Sequence, residues 1–189
     1  MSLPPVLSSA DLPLPELMAA RLDGELYPIA EGHCPVDVIQ TPAVRLAAAL
    51  AGRAPRYIAE LGTAAWVWGA SPVPPPMPEL CVELRARARP ARPGRAVVRE
   101  VVLLPFETRR LGRYRVTTPL RTAIDLGRAR PTFSADDADV VRRLAEVGGF
   151  TLGDCLAAIA ERRNLPAKRR AAARLADALG QPPLTRYTS

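Results

Sequence analysis

The stretch Val116-Thr117-Thr118-Pro119-Leu120-Arg121-Thr122-Ala123-Ile124-Asp125-Leu126-Gly127-Arg128 constrains the fold most, because it reads as a strand end turning directly into a helix. The Thr118 hydroxyl suits an N-cap, and Pro119 suits the first helical position, where no amide donor is needed. Leu120, Ala123 and Ile124 then recur at helical spacing and give one apolar face. Arg121 and Asp125 stand four apart and meet across one turn. These residues read as framework, with the Arg121 fork placed to tie the helix start to another layer.

Composition narrows the remaining choices. At 189 residues the chain holds one ordinary domain, or a small module attached to a larger one. The apolar fraction is 48% but aromatics reach only 5%, so Ala, Leu and Val must do the packing. No run approaches the ~18–20 apolar residues of a membrane span, and Met1-Ser2-Leu3-Pro4-Pro5 lacks a signal-peptide pattern. A cytoplasmic protein is expected. Cys34, Cys81 and Cys155 are far apart, and His33 is the only histidine. That leaves no usual zinc spacing, no disulfide framework and one poorly placed imidazole for nucleophilic chemistry. No metal, cofactor or catalytic centre is expected.

The net charge of +7 points towards an anionic partner, discounted because Lys168 is the sole lysine and an arginine-rich codon bias is plausible. Its distribution is more informative. From Met1 to Val44, Arg21 alone faces six carboxylates, a net of −5, which leaves +12 for Arg45 onward. Leu14 to Leu22 has a helical pattern ended by Asp23-Gly24, and Glu25–Ala30 and Pro35–Ile39 read as short strands around a Glu31-Gly32 turn. Thr41-Pro42 opens a helix reaching Gly52, and Tyr57 to Leu61 is a short apolar element. Thr63 is expected to cap a helix carrying Trp66 and Trp68, which Gly69 stops. Two residues apart, the tryptophans cannot share a helical face, so one is expected in the core and the other half exposed or covering a neighbouring element.

Ser71 to Pro78 is a stiff proline-rich connector. Glu79 to Arg87 alternates as a half-buried strand, Ala96 to Leu104 is a second and Leu111 to Val116 a third. The turn joining the first two presents Arg85, Arg87, Arg89, Arg92 and Arg95 without an acid among them. A hairpin of that kind suits phosphates or a minor groove, and these arginines are the nucleic-acid-binding candidates. Glu79, Glu83 and Arg85 superficially resemble a PD-(D/E)xK nuclease strand. Arg85 stands where the lysine belongs, and a guanidinium stays protonated, so it cannot accept a proton. Ser134 to Asp137 and Thr151 to Asp154 are capping boxes that open two helices, and Pro166 starts a last one ended by Gly180.

The segment Arg115 to Arg128 resembles the one that marks AbiEi-type antitoxins, of the type IV toxin–antitoxin class, especially the stand-alone actinobacterial members. Their upstream small-Ala-Ala-Trp-x-x-Gly segment is matched by Thr63-Ala64-Ala65-Trp66-Val67-Trp68-Gly69-Ala70. The family-motif positions are thus Thr63, Ala65, Trp66, Gly69, Thr118, Pro119, Arg121, Thr122 and Asp125, expected to be structural. The resemblance implies an α+β fold: a reduced winged-helix-like segment over 1–40, an antitoxin-like domain with a small sheet and C-terminal helices over 41–180, and a tail over 181–189. In the family, a basic wing reads DNA and the remaining domain counters a nucleotidyltransferase toxin. Here Leu22 to His33 keeps the wing's glycines and Leu26 but reverses its charge, and too few residues precede it for a full three-helix unit. DNA reading through that wing is therefore expected to be lost. The expected function is a non-enzymatic, antitoxin-like transcriptional regulator whose partners are a toxin protein and DNA, with no membrane. The alternatives are an orphan DNA-binding regulator and a degenerate nuclease relative.

Overall fold

A computed structural model describes residues 4–84, 96–162 and 165–180. The fold is α+β, as expected, and divides into two compact units, Met1–Thr118 and Pro119–Ser189. The second unit begins at Pro119.

The first unit opens with helix α1 (Leu14–Leu22), where Asp23 is the C-cap and Gly24 follows at φ +76°. Strands β1 (Leu26–Ile29) and β2 (Gly32–Pro35) form an antiparallel hairpin with Ile29 opposite Gly32. The second strand thus begins three residues earlier than expected. Ala30 and Glu31 make the turn, with Ala30 at φ +46°. Gly32 is a strand residue kept small by close approach: an added Cβ would lie 2.6 Å from Val6 Cγ1 and 3.1 Å from Leu7 O. Leu7 uses that gap to pair with His33 through amide bonds of 2.7 and 2.8 Å.

Helix α2 (Pro42–Ala49) starts as read, with Thr41 Oγ1 accepting from Val44 N. Next come β3 (Ile58–Ala59), α3 (Leu61–Val67), β4 (Glu79–Glu83), β5 (Val97–Val101), β6 (Thr108–Leu111) and β7 (Tyr114–Thr117). The strands form a mixed sheet ordered β5-β4-β3-β7-β6. Its apolar face carries Ala59, Leu80, Val82 and Val116 and packs with Leu46 and Leu50 from α2 and its end, and Trp66 and Val67 from α3.

Three expectations change here. β4 lies inside the sheet and buries Leu80, Cys81 and Val82 in succession, so the alternation seen in sequence does not mark a half-buried strand. β4 and β5 pair in parallel, Glu79 beside Val97 and Glu83 beside Val101, so no hairpin joins them. The stretch read as one strand from Leu111 to Val116 spans a hairpin turn, with Gly112 at φ +63° and Leu111 opposite Tyr114.

The second unit comprises α4 (Pro119–Ala129), α5 (Ala135–Gly148), α6 (Leu152–Glu161) and α7 (Lys168–Leu179). α4 is central and packs on the other three, which explains why residues 121–127 are buried on every side instead of along one stripe. Both capping boxes form: Ser134 Oγ and Thr151 Oγ1 accept from the amides of Asp137 and Asp154 at 3.2 and 3.3 Å. Pro166 does not occupy the first position of α7, because Ala167 takes a left-handed conformation at φ +59° before the helix begins. No helix among the described residues is long and apolar enough to cross a membrane.

Candidate functional site

The two sequence motifs fold into different units. Pro119 begins α4, and Thr118 N donates to Glu107 O at 2.9 Å in the first unit. Asp125 is 1% exposed and lies between two guanidiniums: Arg121 Nε at 2.8 Å and Arg128 Nη1 at 2.6 Å. Arg121 is itself only 4% exposed. A carboxylate shared by two guanidiniums offsets desolvation that a single pair would leave partly unmet. Arg128 was not singled out in sequence, although its i,i+3 spacing to Asp125 was legible.

Two more arginines of this unit serve the same helix. Arg174 Nη1 donates to Gly127 O at 3.0 Å and Arg130 O at 2.8 Å, and Arg170 Nη2 donates to Arg128 O at 2.5 Å. These carbonyls close the C-terminal end of α4 and lack helical partners, so cations there satisfy acceptors and complement the dipole. Arg142 Nη1 does likewise for Ala178 O near the end of α7, at 3.1 Å. Part of the basic excess is thus spent inside the fold.

The upstream motif holds α3 against the sheet. The helix starts at Leu61, two residues before the expected cap, because a distant carboxylate reaches its first turn. Glu79 Oε2 accepts from Gly62 N at 2.6 Å, while Thr63 Oγ1 accepts from Glu79 N at 2.8 Å. Thr63 therefore anchors β4 to α3 from within the helix. Ala65 and Trp66 are buried, and Trp68 is half-buried with Nε1 donating to Thr117 O at 2.8 Å. Arg45 stacks 5.9 Å from the Trp66 ring and donates to Trp66 O, while Gly69 ends the helix at φ +80°.

The opposite face of the sheet combines the fully buried Ile58 and Cys81 with ion pairs. Glu60, 1% exposed, accepts from Arg99 Nε at 2.7 Å and Nη2 at 2.6 Å. Glu83 accepts from Arg115 at 2.6 Å. Glu79 faces the helix start and Glu83 an arginine, so the two nuclease-like carboxylates do not converge on one point. Among the described residues no group of three or more metal-ligating side chains forms.

Arg85, Arg87, Arg89, Arg92 and Arg95 lie outside the described residues. The chain leaves the described fold after Leu84 at one end of β4 and rejoins it at Ala96, beside the other end. A third group of arginines, which sequence reading passed over, surrounds the β6–β7 hairpin. Arg109, Arg110 and Arg113 are exposed, and Arg110 sits directly across from Arg115. No protein-family model and no curated protein sequence matches this chain.

Proposed function

We propose that this chain is a non-enzymatic, antitoxin-like regulatory protein that binds a nucleotidyltransferase-type toxin and contacts DNA through residues 85–95. The observation that carries the reading is the placement of its ionisable groups. Glu60, Glu79 and Glu83 are each engaged by an arginine or a backbone amide that positions one element on another, and Asp125 is held by two arginines of its own helix. Such groups build a scaffold that works through its surfaces. The two stretches that resemble the AbiEi-type antitoxins coincide with this scaffolding: one starts α4, the other forms α3.

Co-expression with a growth-arresting nucleotidyltransferase toxin encoded beside this chain tests the first role. Restored growth together with co-elution of the two proteins is the expected result. Continued arrest with no complex on size-exclusion chromatography would reject it.

A second reading, an orphan DNA-binding regulator, is favoured by the +12 charge from Arg45 onward and the five arginines of 85–95 with no acid among them. A gel shift on the chain's own upstream DNA at two salt concentrations separates the readings. Specific binding lost when Arg87, Arg89, Arg92 and Arg95 become Ala, without any toxin partner, favours the orphan regulator.

A further inference from the structure

We infer that the β6–β7 end of the sheet is a docking surface for the phosphate backbone of duplex DNA, built from arginines other than those of residues 85–95. Six arginines gather there. Arg109 and Arg110 lie on the edge strand β6, Arg113 in the turn, Arg115 on β7, and Arg53 and Arg56 in the loop before β3. The register brings these segments to one end of the sheet: Arg110 opposes Arg115, and Arg115 is beside Ile58, two residues after Arg56. Tyr114 Oη donates to Arg53 O at 3.2 Å and fastens the loop to the hairpin.

Among the described residues, Glu31 pairs with Arg53 at 3.4 Å and Glu83 with Arg115 at 2.6 Å. Arg56, Arg109, Arg110 and Arg113 have no ion pair among the described residues. Arg110 stands directly across the ladder from Arg115, whose charge Glu83 meets, so the cationic surplus of this pair rests on the exposed Arg110. One charged residue would suffice to protect an edge strand from unwanted pairing. Here the charges occupy both faces of the ribbon and its turn.

The surface is also partly ordered in advance. The Arg113 guanidinium sits 4.7 Å from the centre of the Tyr114 ring and its Nη2 donates to Tyr114 Oη at 2.5 Å. Arg56 sits 5.4 Å from the Tyr57 ring. Both rings are buried, at 3% and 4% exposure, so they hold guanidiniums in place and offer no platform for bases. Single-strand binding relies on exposed aromatic stacking. Guanidiniums over covered rings suit backbone phosphates, hence a duplex and contacts that do not read sequence.

The test is fluorescence anisotropy of the full chain with a short labelled duplex of arbitrary sequence, between about 50 and about 200 mM salt. The variant carries Arg109→Gln, Arg110→Gln and Arg113→Gln; a charge-matched control carries Arg21→Gln, Lys168→Gln and Arg169→Gln. Each lost phosphate contact removes about 0.9 from the slope of log affinity against log salt. The hairpin variant is expected to lose about 2–3 from that slope and at least about tenfold in affinity, while the control stays near wild type. Circular dichroism confirms folding, and the single reversal Arg110→Glu, at an exposed position, repeats the test with minimal disturbance. Equal binding by the hairpin variant and the control, or no binding by wild type at the lower salt, overturns the inference. Loss of binding on changing residues 85–95 alone, with the hairpin variant unaffected, also overturns it and leaves the antitoxin-like reading standing.

Discussion

Replacing Asp125 by Ala removes the carboxylate that two guanidiniums share. Arg121, 4% exposed, then keeps its charge in the interior without that counter-charge, and breaking a buried pair from one side costs about 3–5 kcal/mol. Arg128 is 14% exposed and reaches solvent more readily, so most of the cost falls on Arg121. In a unit the size of Pro119–Ser189, each kcal/mol shifts the melting midpoint by about 4–8 °C. A fall of at least about 12 °C is therefore expected. The double variant Arg121→Met with Asp125→Leu replaces the buried pair by apolar volume and should recover most of the loss, because the only charge it leaves without its carboxylate is Arg128, which reaches solvent. The assay is urea unfolding by circular dichroism for wild type, Asp125→Ala, the singles Arg121→Met and Asp125→Leu, and the double, at neutral pH. A coupling energy above about 2 kcal/mol is expected from the cycle. A cost for Asp125→Ala below about 1 kcal/mol, or strictly additive single effects, would refute the buried-pair account.

Thr151→Ala opens the capping box of α6. The Thr151 hydroxyl, and then its amide, hold the Asp154 carboxyl below its usual value of 3.8, so this contribution is present above that pH and is lost as acid protonates Asp154. The stability gap between wild type and Thr151→Ala should therefore narrow as pH falls below about 4 in a urea titration series, and a constant gap would contradict it. Gly32→Ala places a methyl against Val6 and Leu7 and should cost about 1–3 kcal/mol by chemical denaturation. A neutral substitution would show that the N-terminal segment does not pack there in solution. Cys34, Cys81 and Cys155 are all buried, and burial followed by the Asp154 charge pushes the Cys155 thiol up to about 12. Thiol reagents at mildly alkaline pH should label none of them until denaturant is added, as read by mass spectrometry.

The helix–strand order of the N-terminal segment, the start of α2, both capping boxes and the entry into α4 were legible because each depends on residues within four positions of one another. Where a distant group intervened, local rules failed. Thr63 is a sound N-cap by type, yet Glu79 Oε2 reaches Gly62 N and the helix begins earlier. Gly32 looked like a turn residue, but its smallness answers to Val6. Leu111 to Val116 concealed a turn because the residues flanking Gly112 and Arg113 fit one strand as well as two. In the candidate site, the Arg121–Asp125 pair was foreseen and Arg128, Arg170 and Arg174 were not. Nor was the arginine group at the β6–β7 end, whose members come from separated stretches of chain.

By itself the sequence determined the α+β class, the number and spacing of the C-terminal helices, and the engagement of Arg121 with Asp125. Capping, helical periodicity and short-range ion pairs act within a turn or two, so composition and spacing suffice to specify them. Only the tertiary structure decided that β4 and β5 run parallel, that β4 is interior, and that Glu60 meets Arg99 across 39 residues of sequence. Strand order and direction follow from which apolar faces bury together across the whole chain, and many pairings satisfy the same local pattern. The charge surface follows that topology, since a basic patch exists only once the sheet has placed its arginines side by side.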